Sequence, residues 1–318
     1  MKNVAIIIII SFVSTIVLSQ NTLLTITDSS DNNPLSNILL LDTYNNILGI
    51  SDDKGICFIN PEIISSDQII LFSYIYEKKI VNISDLSNQT NIKLKKNNSI
   101  KDENIISEIN KYFPYLILKK CLDTKSAMLQ FKENYICNLS NLFMNLKENK
   151  VMNEENEVYK IQVDYNRKYN IKSPKRKFFD IFLTDNFWGD ELRNKYFYPF
   201  YKNKNYDYTI ENYYYNEYID KKIIQINVKS KSHKKNLNSI IFVSYPDYKL
   251  LNYEIIIKEE DKSYIGPTNY LIYYSIENSL PIAIKSKFVS ISNGTEQLSN
   301  YFITLENNEK NLSFKAKR

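Results

Sequence analysis

Glycine occurs five times in 318 residues, histidine and tryptophan once each and cysteine three times, and each scarcity removes a class of function. Five glycines leave little room for a glycine-rich phosphate cradle, and no such motif is present. One histidine, His233, excludes a zinc site built from several imidazoles, and a histidine-based triad would have to recruit this residue. It lies in Lys229-Ser-Lys-Ser-His-Lys-Lys235, where neighbouring cations oppose its protonation and no carboxylate orients it, the setting of an exposed loop residue. Three cysteines permit at most one intramolecular disulfide, for which Cys121 and Cys137 are the better pair; Cys57, between Ile56 and Phe58 of an expected strand, reads as a small buried apolar group.

Long apolar runs are also lacking, except at the start. Met1-Lys2-Asn3 is followed by an almost unbroken apolar stretch from Val4 to Leu18, shorter than the roughly 20 residues of a membrane-spanning helix and closed by the small Ser19. This is the pattern of a secretory signal peptide over residues 1–19, with the mature chain expected to begin at Gln20 and to carry no transmembrane segment. Export to the periplasm or to the outer membrane is the expected localisation. The net charge of +5 is modest and the basic residues are scattered, so nucleic acid is not implied.

What is present is the balance of a globular protein, 43% hydrophobic and 24% charged, long enough for about two domains. Lysine, asparagine, isoleucine and tyrosine are abundant, a bias that AT-rich codons also produce. From Thr22 to about Lys96, short apolar strands alternate with turn signals, and the stretch Gly49-Ile-Ser-Asp-Asp-Lys-Gly-Ile-Cys-Phe-Ile59 is a hairpin. Its aspartates suit the early turn positions through bonds to the backbone, and Gly55 supplies the positive φ that returns the chain. Strands at 68–74, 79–83 and 90–94 bring the unit to about seven, the spacing of a sandwich.

The order "TITDSSDNNPLSNILLL", "GISDDKGICFI", "DQIILFSYIYEKKIVNI" resembles the carboxypeptidase-regulatory-like domain common in exported Bacteroidetes proteins. The likeness covers residues 21–96, with Gly55 and Phe58 in the expected places, while Ser73-Tyr74-Ile75-Tyr76 lacks the usual glycine before the tyrosine. It implies a transthyretin-like β-sandwich over 20–96 that carries no catalytic group and no zinc ligand.

Beyond it, residues 97–150 read as a helical connector, with apolar spacings of three and four over 103–113, 116–132 and 136–146. From 151 to 318 period-two strands return, joined by short polar loops, which describes a large antiparallel sheet and an α+β second domain. In outline this half is similar to the half-barrels of periplasmic lipoprotein carriers, "SIIFVSYPDYKLLNYEIII" being the strand-turn-strand unit. A closed outer-membrane barrel fits less well, since the strands are irregular and the chain ends in Lys-Ala-Lys-Arg.

Candidate chemistry is sparse. Trp188 lies in Asp185-Asn-Phe-Trp-Gly-Asp-Glu191, where Asp185, Asp190 and Glu191 are the only grouping that suggests a carboxylate-based hydrolase. Aromatic residues crowd between Tyr196 and Tyr218, a composition that suits either a sheet core or a binding surface; Trp188, Tyr213 and Tyr215 are the candidate binding residues. No catalytic residue, cofactor or metal is expected. The expected protein is a non-enzymatic binding or scaffolding component of the envelope, with an envelope protein, a lipid or a polysaccharide as partner. The alternative is a carrier of a lipid or other apolar ligand.

Overall fold

A computed structural model describes residues 22–97, apart from 60–63, 65 and 87–88, together with 114–128, 132–145, 150–164, 168–171, 203–231, 236–258, 266–275, 281–292 and 295–307. The chain divides into two compact units, Met1–Asn97 and Asn98–Arg318.

The first unit carries β1 (Thr22–Asp28), β2 (Leu39–Asp42), β3 (Ile47–Ile50), β4 (Ile56–Ile59), β5 (Gln68–Phe72), β6 (Lys79–Asn82) and β7 (Gln89–Leu94). They form a three-stranded sheet in the order β4-β1-β7 and a four-stranded sheet in the order β3-β2-β5-β6. β1 runs antiparallel to β4 and parallel to β7; the second sheet is antiparallel throughout. Alternate residues of β1 enter the core, where Leu24 and Ile26 meet Leu40, Cys57, Ile59, Ile69, Leu71, Ile92 and Leu94. The two sheets bury apolar faces against one another, and in β2 and β5 Leu39, Leu41, Ile70 and Phe72 are buried as well, on the other face of the four-stranded sheet. Cys57 is part of that core, as expected from its strand.

Polar groups inside the sandwich hold loops. The fully buried Ser51 hydroxyl donates to the Leu35 carbonyl at 2.7 Å and accepts from the Ile38 N–H at 2.9 Å, tying the loop before β2 to the end of β3. The shortage of glycine is met by asparagine: Asn32, Asn37 and Asn45 all take positive φ, which short amide side chains tolerate better than most. Gly55 is the exception that asparagine could not replace. Its φ is +72°, and a Cβ there would collide with the Ile26 carbonyl oxygen, besides lying 3.1 Å from the Leu35 nitrogen. Asp52 completes the hairpin, its carboxylate accepting from the N–H groups of Lys54 and Ile56.

The second unit contains α1 (Pro114–Met128), then β8 (Lys132–Asn145), β9 (Lys150–Asp164), β10 (Lys168–Ile171), β11 (Tyr206–Asn216), β12 (Lys221–Ser230), β13 (Asn236–Tyr245), β14 (Leu250–Lys258), β15 (Gly266–Tyr274), β16 (Pro281–Ser292) and β17 (Thr295–Asn307). All ten strands join one antiparallel sheet in the order β10-β9-β8-β17-β16-β15-β14-β13-β12-β11. Among the described residues no ladder joins the edge strands β10 and β11.

This corrects the expected connector over 97–150. Among its described residues the helix is Pro114–Met128, and Pro114 opens it, where a missing N–H is harmless. Residues 136–146, read as helical from the spacing of Ile136, Leu139, Leu142 and Phe143, lie mostly in β8 and pair with β9 on one side and β17 on the other. An apolar residue every third position also fits a strand buried between two neighbours, and pairing on both edges decides for the sheet. The sheet therefore begins at Lys132, not at 151. The segment 103–113 lies outside the described residues.

Register separates the two faces of the sheet. On one face Tyr208, Ile210 and Tyr213 sit with Ile224, Ile226 and Val228, then Ile241 and Val243, then Tyr253 and Ile255. The Tyr115 ring of α1 meets the Tyr208 ring with centroids 6.0 Å apart, so the helix lies on this face. The other face carries Tyr214, Ile223, Gln225, Phe242, Asn252, Leu271, Tyr273 and Ala283, and these too are buried. A sheet apolar on both faces is covered on both, and this is why simple alternation does not describe β12 to β15.

Candidate functional site

The aromatic run expected to mark a binding surface divides three ways. Trp188, Tyr196 to Tyr201, and the carboxylates Asp185, Asp190 and Glu191 lie outside the described residues, as does His233. Tyr213 is only 2% exposed and packs its ring edge-on to Tyr245 at 6.4 Å. It belongs to the core of the α1 face, which corrects its assignment as a binding residue: the β-bulge between Ile210 and Asn212 turns Tyr213 onto the same face as Ile224. Tyr215 is 40% exposed at the end of the strand, and its hydroxyl donates to Asp220 at 2.6 Å. That bond to a carboxylate holds the phenol protonated and raises its pKa. Cys121 is free and buried in α1, with burial pushing its thiol up; the disulfide with Cys137 is not formed.

The face opposite α1 carries a more distinctive arrangement. Gln225, Phe242, Asn252, Tyr273 and Ala283 lie side by side on five consecutive strands, β12 to β16. Its first four members alternate amide and ring, and every member is buried. A second row beside it, Asn227, Ile240, Glu254, Leu271 and Lys285, contains two charges among apolar groups and is less deeply covered.

Hydrogen bonds link one end of this face in a single direction. The Tyr214 hydroxyl donates to Gln225 Oε1 at 3.4 Å, Gln225 Nε2 to Asn227 Oδ1 at 3.3 Å, and Asn227 Nδ2 to Glu211 Oε2 at 3.1 Å. Burial, with the Glu211 charge adding to it, pushes the Tyr214 phenol up to about 12, so it remains a donor at any physiological pH. Asn252 stands apart from this chain. It is 3% exposed, and its Oδ1 is a buried acceptor with no hydrogen-bond partner among the described residues. Such a group costs about 1–3 kcal/mol of stability, so native structures seldom retain one without a use.

Sequence inspection passes over these residues because "IIQINV" and "LLNYEII" read as ordinary half-exposed strands. The available signal was a polar residue recurring at the same strand position, Gln225 and then Asn252. Only the register places them in one row.

A second polar cluster secures the turns at one end of the sheet. Asp247 accepts from the Ser244 hydroxyl and pairs with Lys221 Nζ at 3.0 Å, joining the β13–β14 turn to the start of β12. Nearby, Lys120 of α1 sits 4.4 Å over the Tyr248 ring, and Tyr248 itself holds a φ of 53°. Burial alone would raise the Asp247 pKa, but the Ser244 hydroxyl and the Lys221 ammonium outweigh it and hold the carboxyl below its usual value.

A carboxylate with a lowered folded pKa adds stability above its unfolded value of about 3.9, and that stability is lost as pH falls through the folded pKa. Asp247→Asn should therefore melt below the parent at neutral pH, with the two melting curves converging in acid. A difference that persists unchanged to acidic pH would show that the charge is not what holds the turn. Among the described residues no group of three or more His, Cys, Asp or Glu side chains is placed to hold a metal ion, and no helix is long and apolar enough to cross a membrane.

No family model and no curated protein matches the chain. Among solved structures it is similar to a DUF1329 family protein from Desulfovibrio piger, at 8% identity and a TM-score of 0.24, covering 61% of this chain and 95% of that one. It is also similar to the Pseudomonas aeruginosa MucA/MucB complex structure, at 7% identity and a TM-score of 0.24, covering 59% of this chain and 93% of that one. Likenesses this remote say nothing of what the present chain does, which rests on its own side chains.

Proposed function

We propose that the chain is an exported, non-enzymatic binding protein of the cell envelope, and that its ten-stranded sheet carries an apolar or amphipathic ligand on the face opposite α1. The observation that supports this most is the unpartnered Asn252 Oδ1, buried between Phe242 and Tyr273. A ligand with an apolar body would lie against the rings and Leu271, while a hydroxyl or amide donor on its head would satisfy the acceptor. The first unit is then a carboxypeptidase-regulatory-like module appended to the carrier. Its hairpin has the glycine and phenylalanine where that family has them, and its seven strands form two sheets.

Asn252→Leu separates this reading from a structural one, because leucine matches the shape of asparagine and removes the orphaned acceptor. The variant should gain about 1 kcal/mol in thermal or denaturant unfolding. It should also retain much less of a dansylated fatty acid than the parent, and less co-purifying amphiphile in solvent extracts read by mass spectrometry. A parent protein that binds neither would refute the carrier. So would an Asn252→Leu variant that binds the probe as the parent does. Purified protein should turn over no ester, peptide or glycoside substrate; hydrolysis abolished by Asp190→Asn or Glu191→Gln would make it an enzyme instead.

A further inference from the structure

We infer that the first unit binds a neutral glycan in a polar groove at one end of its four-stranded sheet. The groove has a volume of about 580 Å³ and is lined by Thr43, Tyr44, Ser66, Asp67, Gln68 and Asn82, with the turn after β6 closing one side. Three segments far apart in sequence meet there. The β2–β3 turn supplies Thr43 and Tyr44, the start of β5 supplies Ser66 to Gln68, and the end of β6 supplies Asn82.

The groove is built rather than incidental. Gln68 and Asn82 face each other in the β5–β6 ladder, and Gln68 Nε2 donates to Asn82 Oδ1 at 2.9 Å. Asn82 Nδ2 in turn donates to Asp85 Oδ2 at 2.8 Å, which fixes the orientation of both amides. Across the groove, the buried Asp42 carboxylate accepts from the Tyr44 N–H and from both nitrogens of Asn46, each at 2.8 Å. Those bonds hold the turn, and the Tyr44 side chain it carries is 60% exposed. Among the described residues no hydrogen bond uses the Tyr44 hydroxyl, the Thr43 hydroxyl or the Asp67 carboxylate.

The chemistry of this lining selects its ligand. Among the described residues no lysine or arginine lines the groove, and Asp67 stands within it, which disfavours an anion such as phosphate. An apolar ligand would strip water from amides and hydroxyls without replacing their bonds. A sugar meets both needs: its hydroxyls donate to Asp67 and to Gln68 Oε1 and accept from amide N–H groups, and its C–H face lies on the Tyr44 ring. The site is independent of the sheet in the second unit, both in residues and in ligand class.

Calorimetric titration of the mature full-length chain with maltohexaose, cellohexaose, xylohexaose, mannohexaose and chitohexaose tests the inference. At least one of these neutral oligosaccharides should bind, and inorganic phosphate should not. Tyr44→Ala and Asp67→Ala should each weaken binding about tenfold or more without moving the melting temperature, since both side chains are exposed. Asn252→Leu should leave it unchanged. Absence of binding across the oligosaccharides, or binding that survives the double variant Tyr44→Ala, Asp67→Ala, would overturn the inference. Binding of an extended peptide that those substitutions abolish would also overturn it, assigning the groove to a protein partner.

Discussion

Gly55→Val is expected to remove more than about 3 kcal/mol from the first unit, because two independent penalties act at one position. The residue holds a φ of +72°, which a β-branched side chain strongly resists, and any Cβ there is driven into the Ile26 carbonyl oxygen. That oxygen cannot move aside, since it accepts the Leu35 N–H at 2.9 Å, while the Ile26 N–H donates to the Gly55 carbonyl at 2.8 Å. For a unit of this size the loss corresponds to a melting shift of more than about 12 °C. Gly55→Asn distinguishes the two causes: asparagine relieves the φ penalty, as at Asn32, Asn37 and Asn45, but retains the collision. It should remain clearly destabilised. A Gly55→Val chain whose first unit melts with the parent would show that the β3–β4 hairpin does not control this fold.

Tyr253→Ala is the corresponding test of the second unit, with an expected loss of about 3–5 kcal/mol. The side chain is fully buried on the α1 face, between Ile241 on β13 and Ile272 on β15. Removing the ring from the middle of the sheet leaves a cavity that paired backbones on either side cannot close. Burial raises the Tyr253 phenol well above its usual range, so the hydroxyl is a neutral group and Tyr253→Phe should lose no more than about 1 kcal/mol. Ligand retention is informative in the same experiment. Tyr253→Phe should hold the dansylated fatty acid as the parent does, because the proposed site lies on the opposite face. Loss of the probe in this folded variant would move the site to the side of the sheet that carries α1.

Much of the fold was legible from local pattern. The strands of the first unit and those from β11 to β17 appear where turn residues and short apolar runs place them, within a few residues at their ends. Gly55 was legible for the same reason: its turn chemistry is contained in a few neighbouring residues. β8 was not, since "ICNLSNLFMNL" satisfies a helical spacing as well as a strand buried on both edges, and its partners β9 and β17 lie on either side of it in the sheet. The polar start of β9, with Glu154, Glu155 and Glu157, was likewise invisible as strand until its pairing with β8 was known.

Function-bearing positions were the least legible. Tyrosine density pointed to β11, yet Tyr213 and Tyr214 are adjacent and both buried, on opposite faces, whereas the exposed Tyr44 stands outside that run. An aromatic residue has the same letter in a core and on a platform, and what packs against it makes the difference. By itself the sequence determined the turns, the strand periods and the exclusion of histidine- and phosphate-cradle chemistry, because each depends on residue type or on contacts within a few positions. Only the tertiary structure decided which face each tyrosine occupies, that Gln225 and Asn252 share a row, and that Tyr44, Asp67 and Asn82 enclose one groove, because strand register and loop convergence are set by pairing between segments far apart in the chain.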